Sequence, residues 1–123
     1  MQTSPRDTDT STVAGTQPTP PIACDLTAIA TEERDAHIAR AATLMFDASE
    51  ERRELPDGYA WRFAAEQYGE LVAYIANERR CCPFFTFTLE VTPAGGPIWL
   101  RLTGDEDVKA FLQAELAAHS QSN

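Results

Sequence analysis

Two alternating runs around a glycine pair constrain the fold of this chain more than any other feature. In FTFTLEV, residues 85–91, apolar side chains alternate with threonine and glutamate, and IWLRLT, residues 98–103, alternates in the same way. The sequence TPAGGP between them is typical of a turn. Since every second side chain of a strand lies on the same face, the two runs predict an antiparallel hairpin with Ile98, Leu100 and Leu102 facing a core.

The segments around this hairpin complete an α+β pattern. Apolar residues at helical spacing predict three helices, over residues 31 to about 53, 66–81 and from 105 onward. YAWRF, residues 59–63, alternates like a strand, and IACDL, residues 22–26, is interpreted as another strand with Cys24 on its apolar side. The order β-α-β-α-β-β-α predicts a small α+β sandwich, in which helices cover one face of a four-stranded, mostly antiparallel sheet.

Details of the helices follow from the same periodicity. Thr31 is the predicted N-cap of the first helix, and His37 is expected to be partly exposed on it. Its buried stripe is predicted to comprise Ile38, Ala41, Ala42, Met45 and Ala48. The second helix should end near Cys81, because Pro83 restricts the residue before it.

The first 21 residues differ from the rest of the chain. They are rich in Ser, Thr and Pro and have almost no large apolar side chain. Such a composition does not bury enough surface to offset the entropy of ordering, so residues 1–21 are predicted to be a disordered tail. The remainder, residues 22–119, has the length of one domain.

Charge and composition exclude several classes of partner. The formal net charge of −9 opposes binding to phosphate backbones and to anionic membrane surfaces, which require clustered Lys and Arg. The amino-terminal stretch lacks the apolar core of a secretory signal, and no later stretch has the length of a membrane span. The expected localisation is therefore cytoplasmic, with neither nucleic acid nor membrane as a partner.

Common catalytic motifs are not evident. The TPAGGP turn does not join a strand to a helix as a phosphate-binding glycine loop does. The chain has two histidines, His37 in the first helix and His119 near the end. Neither position favours a histidine-based catalytic triad. Paired carboxylates at helix ends have a structural explanation in the helix dipole. A binding role is therefore favoured over an enzyme.

The cysteines are the most informative residues for function. Adjacent Cys81 and Cys82 stand at a helix end, Glu78 is on the same helix face as Cys81, and Cys24 is the third and last cysteine. Three sulfurs without the usual C-x2–4-C spacing do not suit structural zinc. They suit a soft metal or metalloid ion such as Cu(I), Hg(II), Cd(II) or trivalent arsenic. The predicted ligands are Cys81, Cys82 and Cys24, with Glu78 as an accessory, provided that Cys24 approaches the pair.

Two other interpretations stay open. The cysteines could serve a thiol redox role, although adjacent residues close a disulfide less readily than a C-x-x-C pair. Alternatively they pack as small apolar side chains, and this is the favoured interpretation for Cys24 between Ile22 and Leu26. The chain would then be an interaction module, with Trp99 and Arg101 on the outer face of the hairpin as its partner surface.

The combination of motifs resembles a known family. ERRCCPFFTFTLEV, the GGPIWLRLTG that follows and a helix with an acidic start resemble a family of small, mostly uncharacterised bacterial proteins. These proteins share a Glu-x-x-Cys-Cys-Pro-Phe segment and usually an early I-x-C-x-L, and some are encoded near heavy-metal or metalloid response genes. The resemblance spans about residues 22–117. It implies that Cys24, Cys81 and Cys82 belong to one motif, with Glu78 beside them.

Overall fold

The computed structural model describes residues 22–122, with side chains for residues 22–119. The strands are β1 (Glu51–Leu55), β2 (Gly58–Phe63), β3 (Thr86–Val91) and β4 (Ile98–Thr103). The α-helices are α1 (Arg34–Ala42), α2 (Tyr68–Cys81) and α3 (Glu106–Ser122), and a π-helical turn, Thr43–Ala48, continues α1. Short 3-10 turns occupy Leu26–Ala28, Thr31–Glu33 and Ala65–Gln67.

The four strands form one antiparallel sheet in the order β1-β2-β4-β3. The predicted α+β class and the predicted hairpin are therefore confirmed. Leu100 lies opposite Trp61 on one side and Leu89 on the other, so these side chains share a face. This face holds the core: Ile98, Leu100, Leu102, Trp61 and Phe63 are each at most 1% exposed.

The opposite face of the sheet is charged. The register places Trp99 beside Arg62 and Glu90, and the Arg53 guanidinium lies 4.8 Å from the centre of the Trp99 ring. Arg101 donates to Glu90 across β4 and β3 at 2.9 Å. The two residues considered as a partner surface are thus on the outer face, where neighbouring strands already contact both of them.

The predicted first strand is wrong. Residues 22–26 do not join the sheet; they lead into the 3-10 turn Leu26–Ala28, where Asp25 accepts a hydrogen bond from the backbone N–H of Thr27. The strand that completes the four-stranded sheet is instead β1, Glu51–Leu55. Its first residues were predicted to be the end of the first helix. Its sequence ERREL does not alternate because it is an edge strand whose central side chains are exposed. The order of the main elements is therefore α-β-β-α-β-β-α.

The first helix also differs from its prediction. It is preceded by a 3-10 turn whose N-cap is Ala30, so Thr31 does not cap it, and Ile38 is 48% exposed. The buried side chains are His37, Leu44 and Met45. Helical structure ends at Ala48, where the Ser49 hydroxyl donates to the Met45 carbonyl oxygen at 3.0 Å.

The second helix ends at Cys81, as Pro83 predicts, but its predicted face is wrong. Helical spacing predicts one side with Tyr68, Leu71, Val72, Ile75 and Arg79. Tyr68 and Val72 are 50% and 43% exposed, and the buried face carries Leu71, Tyr74 and Asn77.

In α3 the Asp105 carboxylate accepts from the Val108 backbone N–H at 3.0 Å. Helical spacing predicts a core stripe of Val108, Phe111, Leu112 and Leu116 in this helix. All of them are buried except Phe111, which is half-buried. The predicted disordered tail, residues 1–21, lies outside the described residues. Within the described part, no helix is both long and apolar enough to cross a membrane.

Candidate thiol site

Cys24 lies at the end of α2 although it is far from it in sequence. The Asp25 backbone N–H donates to the Cys81 carbonyl oxygen at 2.8 Å, which holds the segment before the first 3-10 turn against the helix end. Cys24 is exposed there and forms a disulfide with Cys82, with 4.8 Å between the two Cα atoms. The packing interpretation of Cys24 is therefore wrong, because this exposed residue reaches a sulfur rather than a core.

Cys81 and Cys82 are both inaccessible, at 1% and 0% exposure. Cys81 remains a thiol, and its sulfur lies 3.8 Å from the Cys82 sulfur. Glu78 is three residues earlier on α2, so it projects from the same face, and its Oε1 lies 3.5 Å from the Cys81 sulfur. The Cys82 backbone N–H donates to the Glu78 carbonyl oxygen at 2.7 Å, which closes the helix before Pro83 turns the chain.

His37 completes the site and was not predicted to belong to it. It is 2% exposed, and its Nε2 lies 2.8 Å from Glu78 Oε1 and 4.0 Å from the Cys81 sulfur. Its ring is stacked on Tyr74 at 5.7 Å between centroids. The expectation that His37 is partly exposed is wrong. Its ring is buried because Glu78, 41 residues away on α2, provides a hydrogen-bonding partner inside the protein.

The electrostatics of the site favour the neutral forms of Cys81 and Tyr74. Burial, followed by the nearby Glu78 carboxylate, raises the pKa of the Cys81 thiol to about 12. The same two causes, in the same order, raise the pKa of Tyr74 well above its ordinary value. Arg79 and Arg80, the two cations that directly precede Cys81 in the chain, are exposed and do not offset these effects. Cys81 is therefore a thiol that donates to Glu78.

The four predicted ligands come together in space. One ligand atom from each of Cys24, Glu78, Cys81 and Cys82 lies within 4.8 Å of the other three. A cluster of this size can surround one ion once the disulfide is reduced, because metal–sulfur bonds are about 2.3 Å long. That these residues bind an ion stays a prediction; their proximity is a property of the structure.

An apolar cavity adjoins the thiols. It has a volume of about 220 Å³ and lies between the first helical segment, the sheet and α3. Its walls include Met45, Trp61, Phe85, Leu112 and Leu116, and Cys24 and Glu78 also line it. The sequence pattern did not predict this cavity, because its walls come from segments spread along the chain from Cys24 to His119.

Comparison with known proteins does not extend these observations. The chain matches no family model, no curated protein and no solved structure. Membership of the bacterial family suggested by the motifs therefore stays a prediction, and function must be inferred from the site.

Proposed function

We propose that the reduced protein binds a soft metal or metalloid ion through Cys24, Cys81 and Cys82, with Glu78 as an accessory ligand. The observation that supports this most is the approach of all four ligand atoms to within 4.8 Å of one another. Thiolates select soft ions such as Cu(I), Hg(II), Cd(II) and trivalent arsenic over hard ones. Three sulfurs and one oxygen suit such an ion better than they suit Mg²⁺ or Ca²⁺, which prefer oxygen ligands throughout.

In this proposal, binding begins from the reduced cluster. Each cysteine that becomes a ligand releases its proton, so binding to three sulfurs releases up to three protons. The bond between Cys24 and Cys82 occupies two of the three sulfurs in the oxidised form. The oxidised protein is therefore expected to bind soft ions weakly through Cys81 alone.

Anaerobic titration tests the proposal. Protein is reduced with a phosphine, which is then removed without oxygen because phosphorus also binds soft ions. The reduced protein is titrated with arsenite, Hg(II) and Cu(I) and examined by native mass spectrometry. We expect one tightly bound ion in the reduced protein and none in the oxidised protein. Serine substitution of any one of the three cysteines should weaken binding at least about tenfold.

Two glutamate variants test whether Glu78 acts as a ligand or only through its negative charge. Glu78→Gln removes the carboxylate beside Cys81, whereas Glu70→Gln removes one from the same helix that instead pairs with Arg40 at 3.0 Å. Only the first should alter ion affinity. Failure of the reduced wild-type protein to bind any of the three ions would refute the proposal.

A thiol–disulfide redox role is a second candidate, favoured by the disulfide itself. An external thiol could attack the sulfur of exposed Cys24 to form a mixed disulfide and release Cys82 as a thiolate. A second external thiol would then release Cys24 and leave as the oxidised disulfide, so that two electrons reach the protein. A reduction potential above about −250 mV would favour this role, whereas structural disulfides usually lie below about −300 mV.

A further inference from the structure

The cavity beside the thiols indicates which class of ligand the site binds. We infer that the site binds a trivalent arsenical carrying one small apolar organic group, with arsenic on Cys24 and Cys82 and the organic group in the cavity. This inference rests on the proposed function, since it requires the reduced cysteines to bind a soft centre. It goes further because it assigns the cavity and names the substituent that the ligand should carry.

The size of the cavity suits an aromatic ring or a short alkyl group. An apolar cavity of about 150 Å³ is sufficient to bind benzene, and this one measures about 220 Å³. Trp61 and Leu102 form part of the wall and are each at most 1% exposed, so the wall belongs to the protein core. Cys24 and Glu115 also line the cavity and are exposed, which shows that it opens to solvent beside the thiol site.

The positions of the cysteine sulfurs determine which of them bind the arsenic. Cys24 lines the cavity and is already within bonding distance of Cys82 in the oxidised protein. A trivalent arsenic with one carbon substituent has two positions left for sulfur, and these two cysteines can fill both. Cys81, 3.8 Å from Cys82, keeps its contact with Glu78. An inorganic ion without a carbon substituent would instead require the third sulfur.

The reaction balances without an oxidant. Phenylarsine oxide reacts with the two thiols to form two arsenic–sulfur bonds, while the arsenic–oxygen bond breaks. The oxygen leaves as water with the two thiol protons, and arsenic stays trivalent. The prior reduction of the disulfide consumes one phosphine, which becomes the phosphine oxide as its oxygen is taken from water.

The experiment compares ligands that differ only in the organic group. Phosphine-reduced protein is titrated by calorimetry with phenylarsine oxide, with trivalent monomethylarsenic and with arsenite. Phenyl and methyl arsenicals form the same two bonds to sulfur, so a difference between them reports the cavity. We expect the phenyl compound to bind about tenfold or more tightly than the methyl compound, because it buries more apolar surface.

A substitution that fills the cavity, compared with one outside it, tests whether the cavity holds the organic group. Ala42 lines the cavity, whereas Ala39, one turn away on α1, is exposed. Ala42→Phe should remove the preference for phenyl over methyl and leave arsenite binding unchanged, and Ala39→Phe should change neither. If Ala42→Phe does not fold, the smaller Ala41→Leu, which also lines the cavity, replaces it.

The outcomes separate this inference from the proposed function. If arsenite and both organic arsenicals all fail to bind the wild-type protein while Hg(II) or Cu(I) binds, the inference is overturned and the proposed function stands; if Hg(II) and Cu(I) also fail to bind, the proposed function fails as well. If the arsenicals bind but phenyl and methyl compounds bind equally, the inference is overturned and the proposed function stands. A loss of phenyl preference in Ala39→Phe as large as in Ala42→Phe would also overturn the inference, because the effect would then not come from the cavity.

Discussion

Cys81 stands out among the residues of the site because its surroundings oppose ionisation. An ordinary thiol would ionise near pH 9, but burial and Glu78 raise the pKa of Cys81 in the folded protein to about 12. The folded protein therefore keeps a proton that the unfolded chain loses first. Its contribution to stability is complete below pH 9 and is lost as the pH rises toward 12.

This shift predicts a specific titration. Between pH 8 and 11 the ultraviolet absorbance of thiolate should rise in urea-unfolded protein but hardly at all in folded protein. Cys81→Ala supplies the baseline, because it leaves the tyrosines and the disulfide in place. A thiolate signal near pH 9 in the folded protein, above that baseline, would contradict the assignment of Cys81 as a buried neutral thiol.

His37 and Arg40 offer a matched pair of residues, since both connect α1 to α2 through a glutamate. His37 Nε2 lies 2.8 Å from Glu78, with side chains 3% and 13% exposed, whereas Arg40 and Glu70 are 27% and 59% exposed. His37→Ala should lower the free energy of unfolding by about 2–4 kcal/mol, because it leaves an almost buried carboxylate without its partner. Arg40→Ala should cost less than about 1 kcal/mol.

Urea unfolding of the two variants under oxidising conditions measures this difference. Both substitutions shorten a side chain on the same helix, so helix propensity changes little between them. Equal losses of stability would show that the His37–Glu78 contact contributes no more than an exposed ion pair.

At the scale of elements, the pairing of β2 with β4 depends on one glycine. A Cβ added to Gly58 would clash with the Leu102 carbonyl oxygen of β4. Gly58→Ala should therefore lower the free energy of unfolding by more than about 2 kcal/mol, since backbone must move to relieve the contact. Thermal unfolding followed by circular dichroism measures the change.

Gly69 provides the control for this substitution. It lies in the first turn of α2, and an added Cβ would meet no atom within 4 Å. Gly69→Ala should stabilise the protein by about 0.5–1 kcal/mol through helix propensity. A mild effect at Gly58, similar in size to that at Gly69, would contradict the close approach of β2 and β4.

The elements also show how far sequence patterns can predict this fold. The β3–β4 hairpin, the end of α2 and the buried face of α3 were predictable because local alternation, Pro83 and helical spacing encode them directly. Strand β1 was missed because an edge strand with exposed charges lacks the alternation that reveals buried strands. The apolar alternation of Ile22, Cys24 and Leu26 was misleading, because long-range bonds to Cys81 and Cys82 set that segment's conformation.

The site was predictable to a similar extent. The spacing of Glu78 and Cys81 placed both side chains on one helix face, and the family resemblance implied Cys24. His37 was missed because its contacts lie 41 and 44 residues away, and nothing in its local sequence distinguishes a buried from an exposed helical histidine.

For the whole molecule, the disulfide is expected to be a main source of stability. It joins residues 58 positions apart, and closing a loop of that length lowers the entropy of the unfolded chain enough to stabilise the fold by about 4 kcal/mol. Reduction should therefore shift wild-type unfolding to lower urea concentration by the corresponding amount.

Two cysteine variants check the origin of this effect. Cys24→Ser should resemble the reduced wild-type protein and should not respond to a reductant. Cys81→Ser should keep the full response, because Cys81 takes no part in the bond. An unfolding midpoint of the wild-type protein that is unchanged by reduction would contradict this role of the disulfide.

The same bond divides the chain mechanically. The ring closed by Cys24 and Cys82 contains α1, β1, β2 and α2, whereas β3, β4 and α3 lie outside it. A force applied to the two ends of the oxidised chain bypasses the ring and pulls directly on the segments beyond Cys82. Reduction releases 58 residues of hidden length, about 200 Å when fully extended. The redox state of one cysteine pair thus decides whether tension reaches half of the sheet.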